Sequence, residues 1–189
     1  MVLGGQDGGV TTSEPGTRTD VLIGRLARAE LLAAMDVAGV RLNVHARRLL
    51  DDIDLDEAAG RRLTLLEVSV AELGLGGGAS LSEVFAAATR RGLGLCPAAT
   101  APYLRLAWTG QAASTDLVLS RGRAPDGAVT VASAPLTDDD EYPKGFYLRV
   151  VDGISWLRGY RCDDEHLWSP TDRFLFAQDG PSHAGCGTT

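Results

Sequence analysis

The sequence predicts an α+β protein, in which an N-terminal helical hairpin and one further helix pack on a mainly antiparallel twisted sheet or a partly closed β-barrel. Apolar residues recur at helical spacing near the N-terminus, whereas several later segments alternate with a period of two. Two alternating segments flank Asp152-Gly153. An Asp-Gly pair in this setting indicates a two-residue hairpin turn, because both residues tolerate positive φ.

Length and composition suit one folded domain. The 189 residues are 44% hydrophobic and 23% charged, which is ordinary for a globular protein. Residues 1–18 are rich in Gly, Thr and Ser and show no periodicity, so we expect a disordered tail. We expect a single domain over residues 19–178, with a helical part at 19–60 and a sheet-rich part at 61–178. The last residues, 179–189, are predicted to form a loose tail.

The helical hairpin is predicted from two segments. From Asp20 to Val37, apolar residues lie at helical spacing, and Gly39 is suited to end the helix. Asn43 is suited to cap a second helix over Val44–Asp51. A helix-turn-helix DNA reader is the alternative. Five acidic residues between positions 51 and 57 argue against it, because they would repel phosphate.

The third helix is predicted from a capping box. Ser80 and Glu83 have the required spacing, and Gly92 is suited to end the helix at about residue 91. Further strands are predicted where short runs are β-branched or alternate, at Leu63–Val70, Leu93–Cys96, Tyr103–Trp108, Leu117–Leu119, Ala128–Ala132 and Phe174–Ala177.

The hairpin turn fixes which residues face each other. A two-residue loop places Arg149 opposite Trp156 and Tyr147 opposite Arg158, so that rings and guanidinium groups share one side of the sheet. The strand at Tyr103–Trp108 is expected to lie beside the hairpin and to extend that side. We call this predicted surface the aromatic–arginine face; its members are Tyr103, Arg105, Tyr147, Arg149, Trp156, Arg158 and Tyr160.

Three interpretations of the aromatic–arginine face stay open. The face is a binding surface for a protein or for a small anionic ligand with a ring, such as a nucleotide, since rings stack on Trp and Tyr and guanidinium groups bind phosphate or carboxylate. Alternatively, cross-strand cation–π pairs simply keep the outside of the sheet soluble. In the third interpretation, the N-terminal helices cover it.

Few residues point to catalysis or to a metal. Asp163, Glu165 and His166 are close enough in sequence to form a metal site or an acid–base pair, although acidic residues after a hairpin usually form a polar loop. The acidic run at 138–141 matches no calcium-binding loop. No nucleophile motif or phosphate-binding loop is present. The sequence therefore favours a non-catalytic protein without a cofactor.

Charge and cysteine content limit the partners and the compartment. The net charge of −7 argues against non-specific nucleic-acid binding, which depends on basic surface. The sequence shows neither a signal peptide nor an apolar run of about 18 residues, so we expect no membrane association. Three widely spaced cysteines do not form a disulfide framework. We therefore expect a cytoplasmic protein.

The sequence also resembles a group of small uncharacterised bacterial and phage proteins, some of which carry the label helicase. The resemblance covers about residues 25–177 and rests on six segments: Leu-Cys-Pro at 95–97, Tyr-Leu-Arg-Leu at 103–106, Ala-Val-Thr-Val-Ala-Ser at 128–133, Gly-Phe-Tyr-Leu-Arg at 145–149, Trp-Leu-Arg-Gly-Tyr at 156–160 and Trp-Ser-Pro-x-Asp-Arg-Phe at 168–174. It implies a stand-alone soluble module and supplies no catalytic residues. The chain itself has no helicase motif.

The function expected from the sequence is a non-catalytic interaction module that uses the aromatic–arginine face. We expect it to bind another protein or to serve as an accessory in a phage or mobile-element process. The alternative is a binding protein or small enzyme for an anionic ring-bearing ligand such as a nucleotide.

Overall fold

The structure is a computed structural model that describes residues 16–55, 60–114, 125 and 127–178. Its elements are, in chain order, β1 (Arg18–Leu22), α1 (Arg28–Val37), β2 (Arg41–Leu42), α2 (Val44–Asp52), β3 (Arg62–Ser69), α3 (Leu81–Arg90), β4 (Leu93–Gly94), α4 (Thr100–Ala107), β5 (Val129–Val131), β6 (Gly145–Val151), β7 (Ile154–Tyr160) and β8 (Arg173–Gln178). The mixture of helices and strands confirms the predicted α+β class.

The strands form one curled sheet that resembles half of a barrel. Its order is β1-β3-β8-β5-β6-β7-β2, and the short β4 also pairs with β8. The sheet is mixed, because β5 runs parallel to β8 and β2 runs parallel to β7, while the other pairs are antiparallel. A mainly antiparallel sheet was the expectation. A parallel pair requires a crossover connection of about a dozen residues or more, and the long segments between β5 and β8 and between β2 and β7 provide it.

Helices bury both faces of the sheet. Leu49 and Leu104, from α2 and α4, belong to one core cluster with Leu148 and Leu157 of the hairpin. On the other face, Val84 of α3 belongs to a second cluster with the aromatic side chains of β8. Alternate residues of β8 therefore enter two different cores, and this strand is buried along most of its length.

The predicted first helix begins too early. Residues from Arg18 to Leu22 form β1, which pairs antiparallel with β3, and α1 begins only at Arg28. The pairing with β3 buries Val21 and lets Thr64 donate a hydrogen bond to the Asp20 carboxylate at 2.8 Å. Local apolar spacing predicted a helix, but this tertiary pairing outweighs it.

The expected helical hairpin is interrupted by a strand. β2 lies between α1 and α2 and pairs with β7. α2 packs on β7, whereas α1 packs against α4. The predicted cap is confirmed, since the Asn43 side chain accepts a hydrogen bond from the Ala46 backbone N–H at 2.9 Å. Two strands, β1 and β2, thus lie within the part expected to be helical.

Several other predictions are confirmed. Ser80 and Glu83 form the capping box of α3, and Gly92 follows the helix with a φ of 75°. The strands predicted around Val68, Val131 and Leu175 are present as β3, β5 and β8, and the one predicted at Leu93–Cys96 is present as the shorter β4.

The strand predicted at Tyr103–Trp108 is wrong, because this segment belongs to α4. Pro102 is the third residue of the helix, where its missing N–H costs no hydrogen bond. The helical conformation fully buries Leu104 in the first core cluster. Six alternating residues fit a strand and a short helix almost equally well, and packing decides between them.

Residues 1–15 of the predicted tail at 1–18 lie outside the described residues, as do the predicted tail at 179–189 and the predicted strand at Leu117–Leu119; Arg18, the last residue of the N-terminal tail, begins β1. Across the ranges that are described, no helix has both the length and the apolar character needed to cross a membrane.

Candidate functional site

The hairpin between β6 and β7 has the predicted turn and register. Asp152 and Gly153 adopt φ angles of 51° and 74°, as a type I′ turn requires. Arg149 pairs with Trp156 and Tyr147 pairs with Arg158. Directly paired residues share a face. Four of the predicted site residues therefore lie together on one side of the sheet.

The N-terminal helices do not cover this side. Gly159 lies on the opposite face, paired with Phe146, and a Cβ atom there would come within 2.8 Å of the Ala46 backbone nitrogen in α2. The aromatic–arginine face instead continues through Thr130, which pairs with both Tyr147 and Phe174. Phe174 belongs to the cluster beneath α3. The face is thus shared with α3, and the interpretation that N-terminal helices cover it is wrong.

Tyr103 and Arg105 do not belong to the aromatic–arginine face. Both are buried in α4. The Tyr103 hydroxyl donates to the Leu26 carbonyl at 2.9 Å and accepts from the Leu26 N–H at 3.0 Å. Arg105 donates to Gln111 Oε1 at 2.6 Å and to the Trp108 carbonyl, and burial lowers its pKa. These two side chains hold loops in place.

Arg149 lies on the predicted side but is not open to a partner. It is 2% exposed, and its Nη2 atom donates to Ser114 Oγ at 3.0 Å. The backbone N–H of Ser114 also donates to the Val150 carbonyl at 2.8 Å. The segment that follows α4 therefore covers this end of the hairpin, which the order of the residues did not reveal.

The remaining ring and guanidinium groups of the hairpin are half-buried and contact each other. The Arg158 guanidinium carbon lies 4.9 Å from the centre of the Trp156 ring, so this cation–π pair lies along one strand instead of across two. Burial raises the pKa of the Tyr147 hydroxyl, which Arg158 and Arg149 partly oppose. Such pairs fit the interpretation in which they keep the sheet surface soluble.

Tyr160 ends the face inside a cluster of aromatic rings. Its ring meets Trp168 edge to face at 5.3 Å, and its hydroxyl is buried without a hydrogen-bond partner in the described structure. Burial raises the pKa of this hydroxyl. Tyr160 is therefore part of the core on the α3 side.

Trp156 does line an open cleft, at the edge of the sheet where β2 ends it. We call this the β2-edge cleft; its volume is about 470 Å³, and its lining residues are Leu32, Met35, Asp36, Val40, Arg41, Leu42, Arg47, Ile154 and Trp156. The lining comes from α1, β2, α2 and β7, so the cleft joins the hairpin to the N-terminal helices. The floor is mostly apolar, as ligand and peptide sites usually are.

The charged groups of the β2-edge cleft are two arginines and one aspartate, which leaves a net charge of +1. Arg41 and Arg47 are exposed. Within the described ranges, neither guanidinium makes a hydrogen bond or an ion pair. Exposed arginines without a counter-ion beside an apolar floor are suited to bind carboxylates or phosphates.

Apolar residues are also exposed close in sequence to the lining of the β2-edge cleft. Val37, which follows Asp36 at the end of α1, is 89% exposed, and Val44, which begins α2 two residues after Leu42, is 72% exposed. Ile154, which lines the cleft, is 41% exposed. Exposed apolar residues grouped around a cleft are typical of protein interaction sites.

A second cleft of about 270 Å³ lies on the α3 side. Its lining residues are Leu81, Ser82, Phe85, Pro135, Asp138, Asp140, Lys144, Cys162, Asp163 and Asp164. The Lys144 ammonium donates to the Asp138 carbonyl at 2.9 Å and lies 3.4 Å from the Asp140 carboxylate. Burial raises the pKa of the Cys162 thiol to about 11; Lys144 opposes this shift, and Asp163, Asp140 and Asp164 add to it. This thiol stays protonated and unreactive at neutral pH.

The weak metal candidates form a turn. The Asp163 carboxylate accepts hydrogen bonds from the backbone N–H groups of Glu165 and His166, at 3.2 and 2.9 Å. The His166 ring lies edge to face on Trp168 at 5.1 Å. Over the part of the chain that the structure describes, no three His, Cys, Asp or Glu side chains converge to hold a metal ion.

Comparison with known proteins gave no relative. No family model, curated protein or solved structure matches the chain. Function is therefore inferred from the residues of the clefts themselves.

The sequence offered one signal for the β2-edge cleft that pattern reasoning missed. Val40-Arg41-Leu42 stands between Gly39 and Asn43, and such a short apolar run between a helix end and a helix cap is compatible with a strand. β2 spans only Arg41 and Leu42, which is too short for periodicity to reveal. The arginines that line the cleft, Arg41 and Arg47, therefore differ from those predicted for the site.

Proposed function

We propose that the protein is a non-catalytic interaction module and that its binding site is the β2-edge cleft. The supporting observation is an open apolar cleft that contains Trp156 and is flanked by Arg41 and Arg47, neither of which forms an ion pair within the described ranges. The resemblance of the sequence adds an accessory role in a phage or mobile-element process to this proposal.

The occupant that fits is a segment of a partner protein that combines acidic and large apolar residues. Its apolar side chain would pack on Trp156, Ile154 and the α1 side of the cleft, and its carboxylates would pair with the two arginines. Tryptophan and arginine are the residues that most often dominate binding energy at interfaces.

Selection from a random heptapeptide library tests the proposal without a known partner. Enriched peptides should combine Asp or Glu with a large apolar residue. The variants Trp156→Ala and Arg41→Gln/Arg47→Gln should each weaken their binding, by about 2 kcal/mol or more for the tryptophan. Arg90→Gln changes an exposed arginine on α3 and serves as the matched control. The proposal would be contradicted if the Trp156→Ala variant enriched the same peptides as strongly as the wild type, or if the enriched peptides were basic.

A small anionic ligand with a ring is the second candidate. The volume of the cleft lies within the range of about 300–1,000 Å³ that small-molecule sites occupy. A ring stacked on Trp156 would gain about 1–3 kcal/mol. A thermal-shift screen of nucleotides and aromatic carboxylates separates this candidate from a peptide, because a ligand at about 100 times its Kd stabilises the fold by about 2.7 kcal/mol.

A further inference from the structure

The loop at residues 134–141 carries the chemistry that the β2-edge cleft is suited to bind. Leu136 is 44% exposed, and four acidic residues follow it. Asp140 is paired with Lys144, and Glu141 is paired with Arg161. Asp138 and Asp139 form no ion pair in the described structure. The loop thus offers one apolar side chain and two carboxylates without a counter-ion.

The loop is held in one conformation before any partner binds. The Lys144 ammonium donates to the carbonyls of Thr137 and Asp138, and the Asp139 carboxylate accepts from the Glu141 N–H at 3.0 Å. At the base of the loop, the Tyr142 hydroxyl donates to the Asp52 carboxylate at 2.5 Å. A preorganised loop loses little conformational entropy on binding, which favours association.

Within one molecule the loop and the cleft do not pair. No hydrogen bond or ion pair joins residues 134–141 to the lining of the cleft in the described ranges. Among the described residues, two carboxylates without an ion pair and an exposed leucine nevertheless match two arginines without an ion pair and an apolar floor. The cleft keeps a net charge of +1 beside Asp36, so the match is complementary in the sign of the charge and in polarity.

We propose that the 134–141 loop of one copy of this chain docks in the β2-edge cleft of a second copy. The inference rests on the proposed function, since it names the partner of the same cleft. Leu136 would enter the apolar floor, and Asp138 and Asp139 would pair with Arg41 and Arg47. Because the two surfaces are different, the contact is heterologous, so each copy offers one loop and one cleft and the assembly either closes into a ring or continues to grow.

Sedimentation equilibrium of the full chain tests the docking. We expect the mass to rise with concentration above that of the monomer at low salt, to a dimer if two copies exchange loops and further if the assembly stays open. The association should weaken about tenfold or more at high salt, where charges are screened beyond about 3 Å at 1 M. The variant Arg41→Gln/Arg47→Gln should be monomeric, and so should Asp138→Asn/Asp139→Asn. Asp51→Asn/Glu165→Gln removes two exposed carboxylates that line neither cleft and should associate like the wild type.

Mixing the two monomeric variants gives the sharper result. Arg41→Gln/Arg47→Gln (the cleft variant) keeps an intact loop, and Asp138→Asn/Asp139→Asn (the loop variant) keeps an intact cleft. The loop of the first can enter the cleft of the second, so we expect a one-to-one complex that does not grow further. A wild type that stays monomeric at low salt would overturn the inference, as would normal association of the loop variant or a mixture that stays monomeric. If the chain does not self-associate but the library peptides still bind through Trp156, only the second copy is excluded as partner. Failure of both tests removes the proposed function too.

Discussion

Two tyrosine hydroxyls in this protein are buried and differ in their hydrogen bonding. The Tyr103 hydroxyl donates to the carbonyl of Leu26 and accepts from its N–H, and in this way ties α4 to the chain after β1. The Tyr160 hydroxyl has no hydrogen-bond partner in the part of the chain that is described. A buried polar group without a partner costs about 1–3 kcal/mol, whereas a satisfied one stabilises by about 1 kcal/mol.

The substitution Tyr103→Phe should therefore destabilise the protein by about 1–2 kcal/mol, because it leaves the backbone groups of Leu26 unsatisfied. Tyr160→Phe removes the same oxygen and should leave stability unchanged or raise it, since no hydrogen bond is lost. Urea unfolding midpoints at an unchanged m-value measure the difference. An equal loss of stability in both variants would show that the two hydroxyls are not in these environments.

Gly159 is where α2 comes closest to the sheet. A Cβ atom at this position would lie 2.7 Å from the backbone carbon of His45, so the helix would have to move. We expect Gly159→Ala to cost about 1–3 kcal/mol, as overpacking usually does. Gly76→Ala adds the same methyl group where nothing lies within 4 Å and should be neutral or slightly stabilising. Equal stability of the two variants would contradict the close contact of α2 with β7.

At the scale of elements, Asn43 joins a helix to a strand. Its side-chain oxygen accepts from the N–H of Ala46, which caps α2, and from the N–H of Gly159 at 2.8 Å in β7. Its amide nitrogen donates to the Gly159 carbonyl at 2.9 Å. One side chain thus joins the end of β2 to the start of α2 and satisfies the backbone groups of Gly159 in β7.

This double role predicts an unequal effect of removing two helix caps. Asn43→Ala should cost about 2–3 kcal/mol, because the cap and two hydrogen bonds to β7 are lost together. Ser80→Ala removes only the cap of α3 and should cost about 1 kcal/mol. Asn43→Asp keeps the side-chain acceptor but loses the amide donor, so its loss of stability should lie between the losses caused by Asn43→Ala and Ser80→Ala. Chemical unfolding ranks the three variants, and an equal loss for Asn43→Ala and Ser80→Ala would be inconsistent with this role.

Elements that depend on neighbouring residues were predictable, and those that depend on distant partners were not. The Asp152-Gly153 turn fixes the register of β6 and β7 by itself, and the capping box at Ser80 fixes the start of α3. β1 is a strand because β3 lies beside it, although its residues continue a helical pattern. α4 is a helix because the helical conformation places Leu104 in the first core cluster.

At the scale of the whole molecule, sharing a face is not the same as being open to a partner. The sequence correctly predicted that Arg149 and Trp156 share a side of the sheet. The sequence pattern did not predict that the segment around Ser114 covers Arg149. It also did not show that Arg41 and Arg47 meet Trp156 at the sheet edge, because that cleft is assembled from four separate elements.

Charge is distributed unevenly over the molecule in a way that bears on function. The chain has a net charge of −7, yet the β2-edge cleft is lined by a net charge of +1, while the cleft near α3 includes four aspartates and one lysine in its lining. A local basic site on an acidic protein selects an acidic partner by direct pairing and not by long-range attraction. Binding at this cleft should therefore depend on contact with Arg41 and Arg47.

The central claim is that the β2-edge cleft is the binding site, and NMR mapping tests it most directly. The ¹⁵N-labelled protein is titrated with the peptide Asp-Asp-Leu-Phe-Asp-Asp, which combines acidic and large apolar residues. The account predicts saturable shifts for residues 35–47 and 154–157 and for the Trp156 indole N–H, with loss of these shifts in Arg41→Gln/Arg47→Gln. Shifts centred on α3 and the aspartate-lined cleft, or no saturable shift at all, would contradict it.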